Sequence, residues 1–166
     1  PTMTNRTDIS RLEARYAEKA RLLESFHSIS RSVLSSRDRE SILDTMCREI
    51  VNAGIFRSLM VALVDESAGI VRVVRGFVRD RHNEIKDKSA IYRGVEYALS
   101  DDNITAEVAR TGQMRVVGGD DERLDARFKE SSEREKNRTS YFIPVSHGDR
   151  VRAVLATAST PRERSE

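Results

Sequence analysis

The chain is expected to fold as an α+β domain, with an antiparallel sheet of about five to six strands, helices on both faces and a long N-terminal helix. Three observations lead there. Leu59–Val64 and Ile70–Val78 are strand-like runs separated only by Asp65-Glu-Ser-Ala-Gly69, and the runs within Ser140–Ser159 flank a tight His147-Gly148-Asp149 turn. Such spacing pairs strands as hairpins. Helical and strand-like segments do not alternate regularly, which argues against a doubly wound parallel sheet. Finally, neither Gly nor Pro interrupts residues 8 to 53, so the chain opens with helix.

The elements follow in order. Ile9, Leu12, Tyr16, Leu23, Phe26 and Val33 recur at three-and-four spacing, with Lys19 and Ser30 filling the gaps. This pattern makes a helix of roughly 25 residues with a heptad-like seam. Ser35-Ser36-Arg37-Asp38 breaks it, with Ser36 or Asp38 as N-cap of a second helix. Ile42, Leu43, Met46, Cys47, Ile50 and Val51 form the broad apolar stripe of that helix, closed by Asn52-Ala53-Gly54. Leu59 to Val64 is continuously apolar, as in a strand covered on both faces. Residues 79 to 91 read as a polar connector. Asp102 or Ser100 caps a short helix with Ile104 and Val108 inward, stopped at Thr111-Gly112. Met114 to Val117 is a short strand, 121 to 130 a short helix with Leu124 and Phe128 one turn apart, and 131 to 138 a charged loop. The closing hairpin follows. The segments are therefore residues 1–36 as helical linker, 37–160 as the sheet domain, and 161–166 as a polar stub leading toward a further domain.

Composition narrows the function. No apolar run reaches the roughly 18 residues of a membrane span, and no secretion signal is visible. One cysteine forbids an internal disulfide and suits a reducing cytoplasm. Net charge is +2 with 34% charged residues, acids and bases interleaved, so no nucleic-acid-binding stripe stands out. Cys47 sits in an apolar helical stripe and reads as a small buried hydrophobe. His27, His82 and His147 have no metal-ligand spacing among themselves or with Cys47. No Ser-His-Asp order, phosphate loop or metalloprotease signature occurs. The sequence thus assigns no catalytic residue, no metal site and no cofactor.

Leu99 through Thr111-Gly112, then Ile143-Pro144-Val145 and Val151-Arg-Ala-Val-Leu155, resemble the corresponding stretches of the GAF domain, a small-molecule sensing module of signalling proteins. The resemblance spans about residues 37 to 159, with Ala153 where many members carry Gly. It implies a cytoplasmic sensory domain of a larger protein, such as a sensor histidine kinase or a cyclic-di-nucleotide enzyme. Cyclic-nucleotide-binding members carry an Asn-Lys pair, then a Phe followed four residues later by Asp-Glu. Here Phe128 is followed by Ser132-Glu133 and no Asn-Lys precedes it, which argues against a cyclic nucleotide. Bilin-binding members carry a Cys in the segment matching residues 130 to 136, and this chain has none there. The GAF-like free-methionine sulfoxide reductase works with several cysteines, which disfavours an autonomous redox enzyme here.

By the same resemblance, a ligand would lie between the sheet and the helices after the second strand. Its walls would be Phe77, Tyr92, Tyr97, Ile104, Val108, Phe128 and Tyr141, with Arg75 and Arg127 orienting an anionic group. A filled core serving only dimerisation is the competing reading. The seam residues Ile9, Leu12, Tyr16, Leu23, Phe26 and Val33 point to a homodimer, because a solitary helix of that length is marginal in water. Folding of this helix back onto its own domain is the alternative.

Overall fold

In a computed structural model of the chain, the described residues are 9–10, 13–14, 16–17, 20, 23–24, 39–54, 56–80, 82–125 and 139–159. The first nine of these positions are helical and exposed. The continuous N-terminal helix expected from the sequence otherwise falls outside the described residues, as do its seam residues Leu12, Phe26 and Val33 and the expected caps Ser36 and Asp38.

Ten elements follow: α1 (Arg39–Asn52), β1 (Phe56–Asp65), β2 (Ile70–Arg79), β3 (Ile85–Asp87), α2 (Ser89–Tyr92), β4 (Glu96–Ala98), α3 (Ile104–Thr111), β5 (Arg115–Gly118), β6 (Thr139–His147) and β7 (Arg150–Ser159). The strands form one sheet in the order β3-β2-β1-β7-β6-β5, with β4 also paired to β2. All the pairings are antiparallel, and α1 packs on one face while α3 packs on the other.

The sheet carries seven strands, two more short ones than the apolar runs mark. Residues 79 to 91, expected as an irregular connector, hold β3 and the start of α2. The reason is tertiary. Lys88 N donates to Gly76 O at 2.7 Å, Gly76 N donates to Ser89 Oγ at 3.1 Å, and Asp87 Oδ1 accepts from Ser89 N at 2.8 Å. The chain is pinned to β2 by the backbone of Lys88 and the hydroxyl of Ser89, polar contacts that require no hydrophobic pattern. Similarly, Val73 N bonds Val95 O at 2.9 Å ahead of β4.

The N-cap of α3 is Asn103, rather than Asp102 or Ser100. Its Oδ1 accepts from Thr105 N and Ala106 N at 2.8 and 3.4 Å, satisfying two donors of the first turn. Asp101 is turned away and accepts from Ala98 N instead. The C-terminal end is as read: Gly112 adopts φ 65° and its N–H reaches Val108 O, a left-handed stop that a Cβ would strain. Residues 121 to 125, expected to open a helix, form a turn in which Asp121 Oδ1 takes Arg123 N at 3.0 Å. Phe128 lies outside the described residues.

Two apolar clusters flank the sheet. On the α1 side Cys47, Val51, Leu59, Val61 and Phe77 are buried together. On the α3 side Met60, Val71, Val73, Tyr97, Ile104, Val108, Val117, Phe142 and Val154 form the larger cluster. Strand alternation separates them: Leu59 and Phe77 face one another across β1–β2, while Met60 faces Gly76 one position on.

Candidate ligand cavity

A cavity of about 330 Å³ lies between the sheet and the segments α2, β4, α3 and 119–125, at the lower end of small-molecule site volumes. Its floor follows from the cross-strand register. One row runs Gly76, Met60, Ala156, Phe142; the next runs Val78, Ser58, Ala158, Ser140. Five of these eight side chains are no larger than serine. Small residues set side by side across strands cannot fill the layer beneath α3, and the shortfall is the cavity.

The walls are more varied. Ile91 and Tyr92 of α2, Tyr97 of β4, Asn103, Ile104 and Thr105 at the start of α3, and Leu124 and Asp125 border the space. Tyr92 lies so close over β2 that a Cβ at Gly76 would overlap its Cδ2 and Cε2, so Gly76 is needed for close approach. Tyr97 OH donates to Asp125 Oδ2 at 2.8 Å. An ionic chain holds the turn in place: Arg115 Nε donates to Glu107 Oε1 at 2.6 Å, Glu107 Oε2 accepts from Arg123 at 2.8 Å, and Arg123 pairs with Asp121 at 2.8 Å. Thus β5, α3 and the turn that presents Leu124 and Asp125 are tied together. Among the described residues no three His, Cys, Asp or Glu side chains converge in a metal-binding arrangement.

Tyr92, Tyr97 and Ile104, expected as walls, border the cavity. Val108 is fully buried in the same cluster but does not reach the cavity. Phe77 borders it along β2, yet its ring belongs to the opposite face, where Arg48 Cζ lies 5.2 Å from the ring centroid. Tyr141 occupies the same cross-strand row as Leu59 and Phe77 and meets Phe56 edge-on, with ring centroids 6.0 Å apart. Arg75, expected to orient an anion in the cavity, is instead bonded to Glu40 and Asp44 of α1. Burial opposes its charge, but those two carboxylates outweigh it and raise its pKa above the ordinary value. A shift of one residue along a strand reverses the face, and apolar content in β2 does not reveal which residues share Gly76's side. Phe128 and Arg127 lie outside the described residues.

The sequence reading missed Met60, Phe142, Ser58, Ser140, Lys88, Asn103 and Asp125. One signal was available: Ser58, Ala156, Ala158 and Ser140 place small residues two apart in neighbouring strands.

Cys47, on the sheet-facing side of α1, is fully buried on the face opposite the cavity floor. Burial first, and the Asp44 carboxylate second, push its pKa up to about 12. His82 and His147 are exposed.

An antiparallel sheet with helices on both faces, one face filled and the other holding a cavity, defines an α+β domain. A family model described as GAF domain matches residues 36–166, and the chain belongs to that family. Among solved structures, the chain is similar to the A. aeolicus NlH2 GAF domain in an inactive state (12% identity, TM-score 0.68, covering 89% of this chain and 84% of that one). It is also similar to the GAF domain from an Acinetobacter phosphoenolpyruvate-protein phosphotransferase (17%, 0.60, 87% and 80%). A third is the free methionine-R-sulfoxide reductase from Neisseria meningitidis in complex with its substrate (14%, 0.55, 83% and 72%). At such identities the likeness is one of fold. No curated protein matches the sequence. No helix among the described residues is long and apolar enough to cross a membrane.

Proposed function

We propose that this GAF domain is a non-enzymatic, cytoplasmic sensory module of a signal-transduction protein, such as a sensor histidine kinase or a cyclic-di-nucleotide enzyme. It binds a small molecule in the cavity beneath α3 and relays occupancy through a helical homodimer to a covalently linked output domain. The observation that carries this reading is the cavity itself. Its floor of small residues leaves a space where the other face of the same sheet is filled. Tyr92, Tyr97 and Ile104 are its ligand-facing residues in this proposal. Relay requires a ligand to prefer one of two arrangements, since only differential affinity shifts an equilibrium. A redox enzyme is disfavoured because the chain's single thiol lies across the sheet from the cavity and is held protonated.

Dimerisation rests on Ile9, Tyr16 and Leu23, seven residues apart and 52%, 64% and 62% exposed in the single chain. A heptad stripe left in water favours a second helix against it. The same stripe supports a second reading, a dimerisation module that binds no ligand.

Thermal unfolding in the presence of nucleotides, amino acids and small organic acids separates the two. A ligand at 100 times its dissociation constant stabilises by about 2.7 kcal/mol. No shift across the panel favours the ligand-free module. Deleting residues 1–34 and measuring mass in solution tests the seam: a truncated chain that stays fully dimeric removes it as the main contact.

A further inference from the structure

Among the described residues two charged ones border the cavity, and they differ in kind. Asp125 is engaged, with Oδ2 accepting the Tyr97 hydroxyl at 2.8 Å. Lys88 is half-buried, and its ammonium has no ion pair or side-chain hydrogen bond with a described residue. Its neighbouring carboxylates are committed elsewhere. Asp87 accepts from Ser89 N and faces Arg48 and Arg75, while Glu84 and Asp80 pair with Lys86. Lys88 is also fixed in place, since its backbone N–H holds Gly76 O at 2.7 Å on the cavity floor.

A half-buried lysine with no ion-pair partner among the described residues, bordering a mainly apolar space, offers its positive charge to a negative group within reach. One ammonium can pair with one carboxylate and leaves a second without a described counter-charge. Resting on the reading of the cavity as a ligand site, we infer that it takes a monoanionic organic acid with an apolar body. Its carboxylate pairs with Lys88, and its uncharged end lies against Met60, Ile104 and Phe142. Lys88 takes the orienting role that the sequence suggested for Arg75, which is neutralised on the other face. Polyanions such as nucleotides are disfavoured by the same arrangement.

The test uses three matched probes with the 166-residue chain: hydrocinnamate, hydrocinnamyl alcohol and the diacid phenylsuccinate, followed by NMR titration of the Tyr97 and Phe142 rings. Hydrocinnamate is expected to bind about tenfold more tightly than either of the others, a difference of about 1.4 kcal/mol. Lys88→Met should abolish the preference for the acid over the alcohol, and Lys88→Arg should keep it within about threefold, because a point contact needs charge more than shape. The Lys88 side chain makes no described hydrogen bond, so unchanged melting temperatures will show that both variants fold. If the alcohol or diacid binds as well as the acid, or Lys88→Met leaves acid affinity unchanged, the inference is overturned while the cavity remains a site. If none of the three, nor indole as a neutral probe, moves the ring signals, the ligand-site reading falls with it.

Discussion

The two faces of the sheet are made from the same strands and reach opposite outcomes. Under α1, the row Phe77–Leu59–Thr157–Tyr141 carries three large side chains in four positions, and Cys47 and Val51 of the helix close over the Leu59–Phe77 end with no exposure. One residue along, the row Gly76–Met60–Ala156–Phe142 alternates small and large, and Val78–Ser58–Ala158–Ser140 is smaller still. The roof also differs. A helix of 14 residues covers the first face; short α2, α3 and a turn tied by ion pairs cover the second. Whether a sheet face is filled or leaves a cavity depends here on the volume of cross-strand neighbours, not on how apolar the strands are.

Substitutions can break that contrast, beginning with the filled face. Phe77→Ala should cost about 3–5 kcal/mol, as for other buried aromatic truncations, measured by urea unfolding. A loss below about 1 kcal/mol would mean that the α1 face is not closed-packed. Gly76→Ala acts on the cavity face, where the new Cβ overlaps the Tyr92 ring. Displacing that ring should destabilise by about 1–3 kcal/mol and weaken any ligand bound beside Tyr92. Unchanged stability and binding would show that α2 is free to shift.

The pH response of Cys47 gives a third measure of how dry the α1 face is. Its folded pKa is raised from 9.0 to about 12, so the native state keeps the proton after the unfolded chain has lost it. The contribution is fully present below pH 9 and is lost as pH rises from there toward 12. Relative to Cys47→Ala, the wild type should lose up to about 1.4 kcal/mol of stability per pH unit in that window. Parallel pH profiles for the two proteins, or rapid labelling of the native thiol near neutral pH, would place water at Cys47. The smallest effect is expected from Tyr97→Phe. Losing the bond to Asp125 should cost about 1 kcal/mol, read as a modest fall in unfolding midpoint with the fold unchanged.

The α+β class, the two hairpins, the α1 stripe and the Gly112 stop were legible in the sequence, because local rules of apolar period, turn chemistry and left-handed glycine govern them. Tyr92, Tyr97 and Ile104 were placed at the cavity by the family resemblance alone. The remaining differences arise from backbone contacts and facing. β3 and α2 exist because Lys88, Ser89 and Gly76 bond across 12 to 13 residues of sequence, and no apolar spacing announces such bonds. Arg75 and Phe77 face α1 rather than the cavity because Gly76 takes the cavity side of β2, and strand polarity is set only when Met60 meets Gly76 across the β1–β2 ladder. The sequence by itself determined the long strands, α1 and α3, and which residues are able to be buried. The tertiary structure alone decided which small residues lie side by side, and hence where packing fails and a cavity opens. Volume is a property of neighbours across strands, and those neighbours are distant in the chain.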